Sequence, residues 1–175
     1  MARLKSHRAI VDMVIFAMLG ALLFASKIAF EALPNVHPMT MLIMVYTLVF
    51  GIKAMIPTLI GMVLIGAING FNIWWVPYLY IFPLYVLLTL ALPKRMPHGV
   101  AAVVYPIVCG LFGFAFGTLY APAQALMFHY SFKTMLAWIA AGLSFDLIHG
   151  IGNAAMGLLV LPLSLIAKRL YAKIR

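Results

Sequence analysis

Three polar residues stand at helical spacing near the end of an apolar chain: Asp146, His149 and Asn153. Steps of three and four residues set them on one stripe of a helix, and Gly142 and Gly157 extend that stripe. A carboxylate beside a histidine can hold the imidazole in one tautomer, or either group can take a bound ligand as its partner. One aspartate and one histidine are too few to hold a metal, and no other cluster completes them. No serine–histidine–acid set with a nucleophile elbow accompanies them, so the stripe gives no catalytic reading. Two readings stay open. The stripe contacts a ligand, as ionisable groups inside membranes tend to do. Alternatively it is a polar clamp between helices, worth about 0.6 kcal/mol per hydrogen bond.

The other two of the three acidic residues are Asp12 and Glu31. Asp12 sits near the start of an apolar run, where the helix dipole favours a carboxylate. Glu31 follows Lys27 by four residues, so the two can pair on one face, as a packing device or as part of a binding site. Rings and amides concentrate in three connections. Asn35 and His37 lie in the first. Asn69, Asn72, Trp74, Trp75, Tyr78 and Tyr80 lie in or after the second, and Gln124, His129, Tyr130 and Trp138 in the third. An interfacial aromatic belt accounts for some of them. A belt marks both faces, however, and the opposite turns carry no tryptophan. The asymmetry points to a pocket opening on one side, suited to a polar, ring-containing solute.

The elements that must position these groups are membrane helices. The chain has 175 residues, 66% hydrophobic and 9% charged, too few charges for the surface of a soluble domain. Continuous apolar runs near the length of a helical crossing recur throughout. They do not alternate as barrel strands do. The expected fold is all-α and polytopic, a single transmembrane domain of six helices with both termini in the cytoplasm. The spans fall at about residues 10–31, 39–52, 54–68, 78–92, 100–119 and 136–167. Residues 33–38, with prolines at 34 and 38, make a rigid turn. Residues 120–135 are expected to lie along the outer interface, and the last span, longer than one crossing, is expected to project outward or break near Gly142.

The net charge of +9 is distributed as the positive-inside rule expects, not as a nucleic-acid surface, with only Lys27 and Lys133 falling elsewhere. Arg3, Lys5 and Arg8 open the chain, and Lys53, then Lys94 and Arg95, mark two short turns. Lys168, Arg169, Lys173 and Arg175 close it. The single cysteine, Cys109, allows no disulfide within the chain. The long first apolar stretch, without a clear cleavage site, is expected to be retained as a helix. There is no Walker motif, no chain of buried carboxylates to relay protons and no internal repeat. A carrier built this way would borrow its energy from a partner. Small residues at Ala17, Ala21, Ala25 and Ala29 give the first span a smooth stripe, and Gly110, Gly113 and Gly117 do so for the fifth. Such stripes serve helix packing within the domain or docking to another membrane subunit.

Size, span count, Ala17-x-x-x-Ala21 and three runs together resemble the substrate-binding S components of energy-coupling factor vitamin transporters. The runs are Leu33-Pro34-Asn35-Val36-His37-Pro38 leading into Tyr46-Thr47-Leu48-Val49-Phe50-Gly51, then Phe71-Asn72-Ile73-Trp74-Trp75, then Phe145-Asp146-Leu147-Ile148-His149-Gly150-Ile151-Gly152-Asn153. The resemblance spans nearly the whole chain. It implies a bacterial cell-membrane subunit that binds a vitamin near the outer face, beneath the first outer loop. It also implies association with a transmembrane coupling subunit and two cytoplasmic ATPases, and inward delivery by toppling. Ala17, Ala21 and Ala25 would then face the coupling subunit. Asn35, His37, Asn69, Asn72, Trp74, Trp75, Tyr78, Asp146, His149 and Asn153 would surround the ligand or its gate, with Lys27 and Glu31 as further candidates. Many relatives look more apolar at those last two positions. A likeness to the cobalamin-specific lactobacillar S component makes cobalamin or a related corrinoid the first expected substrate. Pyridoxine and riboflavin are rivals, and pantothenate is disfavoured by the aromatic surroundings. No cofactor and no metal is expected. A self-sufficient carrier or small channel and a non-transporting assembly subunit are the competing classes, with a membrane enzyme more distant.

Overall fold

The computed structural model describes residues 2–33 and 35–174, with side chains from Arg8 onward. Pro34 of the expected proline turn, Arg175, and the side chains of Arg3 and Lys5 lie outside the described residues. Every regular element among the described residues is helical. The helices are α1 (Ala2–Ala29), α2 (Met39–Phe50), α3 (Met55–Asn69), α4 (Tyr78–Leu90), α5 (His98–Phe114), α6 (Phe116–Met127), α7 (Phe132–Gly157) and α8 (Val160–Ile174). Two short 3-10 turns, Gly51–Ala54 and Ile73–Trp75, join α2 to α3 and precede α4.

Five helical stretches are long and apolar enough to cross a membrane, the second being Met39–Asn69 at 31 residues. Packing divides that second stretch into two passes. Phe16 meets Phe50 with ring centroids 5.2 Å apart, and the Tyr46 hydroxyl donates to the Leu19 carbonyl at 3.0 Å. Rising numbers on α1 thus meet falling numbers on α2. On α3 the order matches instead: Asp12 pairs with Lys53, Gly20 packs on Ile60, and Leu23 on Gly61. The chain therefore doubles back at Gly51, whose φ of 62° lies in the left-handed region that glycine adopts without penalty. The remaining helices continue the alternation. Tyr85 on α4 meets Cys109 on α5, while the Tyr80 hydroxyl reaches the Leu119 carbonyl. Gly157 lies against Pro106, and Gly117 against Asp146.

The result is an all-α, polytopic membrane protein with six passes. Its core lies where α2, α4 and α5 meet, around Met44, Tyr85 and Cys109, all fully buried. Large side chains such as Met18 on α1 and Phe145 on α7 stay exposed, an arrangement stable in hydrocarbon and costly in water. Both chain ends emerge on one side. There the Asp12 carboxylate accepts from the Tyr171 hydroxyl at 2.6 Å and faces the Lys53 ammonium at 3.5 Å. Basic residues gather at this end, which the positive-inside rule makes cytoplasmic.

Two boundaries differ from expectation, and the stretch expected along the outer interface gains detail. Its residues 120–127 belong to α6 and its residues 132–135 to α7. The Ala115 N–H bonds the Leu111 carbonyl and the Leu119 N–H bonds the Ala115 carbonyl, so hydrogen bonding runs from α5 into α6. Only residues 128–131 form a turn, and Ser131 caps α7 through its hydroxyl, which accepts from the Thr134 N–H. The last crossing breaks at Leu158–Leu159, not at Gly142. Pro162 stands in the first turn of α8, where its ring tolerates a helix start and would clash with the carbonyl four residues back in a continuous one. Asp12 is no cap: α1 begins at Ala2, so its carboxylate lies about three turns inside the helix.

Candidate functional site

At the outer half of the bundle, α7 presents Asp146, His149 and Asn153 inward, each buried. The glycines of α5 and α6 let this happen. Asn153 and the α7 backbone press against Gly113, and Asp146 occupies the space where a side chain on Gly117 would stand. The helix interruption at Ala115 has a chemical use here. In an unbroken helix the Gly117 N–H would bond the carbonyl of Gly113. Here it donates to Asp146 Oδ1 at 3.0 Å.

Asp146 does not orient His149, as the spacing had suggested it could; its bonding partner is the Gly117 backbone. The His149 ring instead packs against Phe116, with centroids 4.9 Å apart, and edge-on against His37 at 5.2 Å. His37 arrives from the loop between α1 and α2. In that loop Asn35 adopts a left-handed φ of 59°, which asparagine tolerates better than most residues, and Val36 packs on Gly152 of α7. The loop thus closes over the polar stripe as a roof. Burial, with a smaller contribution from the Lys27 ammonium, pushes His37 down to about 4. The imidazole is therefore neutral at physiological pH.

What distinguishes the cluster is unmet hydrogen-bonding capacity. Asp146 Oδ2, His149 Nε2, His37 Nδ1 and both amide atoms of Asn153 are buried without a partner, as is Gln124 Oε1 on α6. Buried polar atoms are nearly always satisfied, since leaving one bare costs about 1–3 kcal/mol. Several such atoms, gathered on α7, α6 and the loop before α2, are ones that a buried water or a polar ligand would satisfy.

Aromatic rings extend from the cluster. Trp74 meets Tyr78 at 5.7 Å, Tyr78 meets Phe116 at 6.2 Å, and Phe116 meets Tyr120 at 6.1 Å. Tyr120 stacks on Trp138 with planes 17° apart and donates its hydroxyl to the Trp74 carbonyl at 2.6 Å. Of the residues singled out from sequence, His37, Asp146 and His149 come together, with Asn153 one turn deeper along the stripe and Trp74 and Tyr78 on the ring chain. Asn35 helps shape the roof. Trp75 is committed elsewhere: its indole N–H donates to the Met62 carbonyl at 2.7 Å. Asn69 and Asn72 are exposed on the outer rim. Glu31 is exposed beyond the end of α1 and forms no ion pair with Lys27; the ion pair among the described residues is Asp12–Lys53. Gly142 faces open space, unlike Gly157.

Phe116 and Tyr120 are site residues that the sequence reading missed. Their signal was the four-residue step Phe116, Tyr120, Gln124, which puts all three on one face of α6. Ala17, Ala21 and Ala25 are exposed on α1, so that stripe is not internal packing. The glycine stripe of α5 and α6 is. Beside the α1 stripe runs an apolar groove of about 480 Å³, bordered by Met18, Leu22, Val45, Phe50, Leu163 and Tyr171 among others. It lies between α1, α2 and α8, toward the cytoplasmic half.

The fold and site define a multi-pass helical membrane protein with a roofed polar and aromatic cluster at its outer end. No protein-family model, curated protein or solved structure matches the chain.

Proposed function

We propose that this chain is the substrate-binding subunit of an ATP-driven vitamin importer of the energy-coupling factor type, in a bacterial cell membrane. The observation that carries the reading is the set of unpartnered buried atoms on Asp146, His149, Asn153 and His37 beneath the outer loop. In this reading a ring-containing vitamin enters from outside, satisfies those atoms and is held by Phe116, Tyr120 and Trp138. A transmembrane coupling subunit docks on the exposed alanine face of α1 and the adjoining groove. Two cytoplasmic ATPases drive the subunit to topple and release its cargo inward.

Two features support the partner. The α1 stripe is smooth and uncovered, which suits close helix contact in a membrane, and the sequence offers no ATPase motif of its own. Cobalamin is the first substrate to assay. The test is ATP-dependent uptake of radiolabelled cyanocobalamin, riboflavin and pyridoxine by cells carrying the chain with its coupling subunit and ATPases. Uptake of any one that requires the partners supports the reading. Uptake into liposomes by this chain alone, driven by an ion gradient, would replace it with a self-sufficient carrier. Stable assembly with another membrane protein, and no solute taken up or bound, would leave an assembly subunit.

A further inference from the structure

The chemistry of the unsatisfied atoms restricts the ligand further, an inference that rests on the uptake reading above. Asn153 is 1% exposed, and both its Oδ1 and its Nδ2 lack partners. A carboxamide offers an acceptor and a donor side by side in one plane. The group that satisfies both at once is another planar amide: a C=O beside an N–H, in a lactam ring or a primary carboxamide. Single acceptors or single donors leave one Asn153 atom bare.

The neighbours extend the pattern. Asp146 Oδ1 is already taken by the Gly117 N–H, so Oδ2 remains as an acceptor for a ligand N–H or O–H. Phe116 and Tyr120 lie on the adjoining face with the stacked Trp138 beyond, surfaces that favour a flat ring. His37 Nδ1 and His149 Nε2 each await a partner. No fixed cation lies in the buried stripe itself. Lys27, half-buried, lies by the loop above it, close enough to act on His37. The stripe is therefore built for a neutral amide edge, not for a carboxylate or phosphate.

We infer that Asn153 reads a planar amide edge of the ligand, in a neutral ring compound whose further donor meets Asp146. Two sources supply that chemistry: a lactam heterocycle, or a primary carboxamide of the kind a corrinoid carries on its periphery. The experiment measures binding of hypoxanthine, riboflavin, cyanocobalamin and pyridoxine to the purified full-length chain by calorimetry. Pyridoxine is a flat ring without an amide. Wild type is compared with Asn153→Leu, which keeps the size and removes both polar atoms, and with Asn153→Gln, which keeps the amide. Thermal unfolding checks that each variant folds.

At least one amide-bearing probe binds the wild type, and Asn153→Leu weakens it by about 30-fold or more, the loss expected for two neutral hydrogen bonds. Asn153→Gln retains more affinity than Asn153→Leu. Hypoxanthine or riboflavin binding identifies the lactam source; cyanocobalamin alone identifies the carboxamide. Binding of pyridoxine alone, binding of none of the four, or equal affinity in Asn153→Leu overturns the inference. Partner-dependent ATP-driven uptake, measured separately, then shows whether the uptake reading survives without it.

Discussion

The Gly117 N–H and the Asp146 carboxylate each remove the other's problem: a helix-start donor is satisfied and half of a buried acid is paired. A Cβ at residue 117 would collide with that carboxylate. Gly117→Ala should therefore destabilise the protein by about 1–3 kcal/mol, as overpacking does. Gly142→Ala should raise stability by up to about 1 kcal/mol, because an alanine there meets nothing within 4 Å and suits a helix better. Thermal unfolding in one detergent checks both signs. His37 gives a pH prediction. Its folded value is lowered to about 4 against an ordinary value near 6.5, so the unfolded chain binds the proton more readily. The contribution of the neutral imidazole is whole above pH 6.5. It declines as pH falls toward 4, by at most about 1.4 kcal/mol per pH unit. His149 and Lys27 are the titratable and charged groups facing it. Compared with His37→Phe, wild type should lose more melting temperature between pH 7 and pH 5; equal losses would refute this. The polar stripe on α7 was legible from spacing alone. The pairing of His149 with His37, 112 positions earlier, was not, because periodicity reports faces and not partners.

Helix boundaries show what hydropathy leaves open. In the 120–135 stretch Gln124 Oε1 is buried, while α6 carries the helix onward from α5. A polar residue facing a polar interior looks, in sequence, like one facing water. The break between α7 and α8 has a visible cause in Pro162, which the expectation of an outward projection or a break near Gly142 did not use. The spacing of the α1 alanines left their direction undecided: a four-residue step fits packing and docking alike. Exposure of Ala17, Ala21 and Ala25 now gives a sharp expectation. Ala17→Trp with Ala21→Trp should abolish partner-dependent uptake while leaving ligand affinity within about twofold, since neither side chain approaches the α7 cluster. Loss of ligand binding instead would place the docking face elsewhere.

For the molecule as a whole, six passes and one end that carries most of the basic residues make a topology that labelling can check. A cysteine at Ser131, in the turn before α7, should react with a membrane-impermeant maleimide added to intact cells. One at His98, which opens α5 beside Lys94 and Arg95, should react only after the membrane is opened; native Cys109 is buried. The reverse pattern would invert the orientation. The six-pass count was readable because basic turns punctuate the apolar runs at Lys53 and at Lys94–Arg95. Hydropathy by itself merges α2 and α3 into one stretch; the punctuation and Gly51 separate them.

The contact between Asp12 and Tyr171 joins residues 159 positions apart. A growing chain makes its first helix long before the residue that fastens it exists. Until α8 has been translated, α1 has no α8 to grip and keeps company only with lipid, its early neighbours or the insertion machinery. Truncation before α8 should therefore yield a protein that inserts but is cleared quickly by membrane proteases. A peptide bearing α8, supplied in trans, should restore its lifetime.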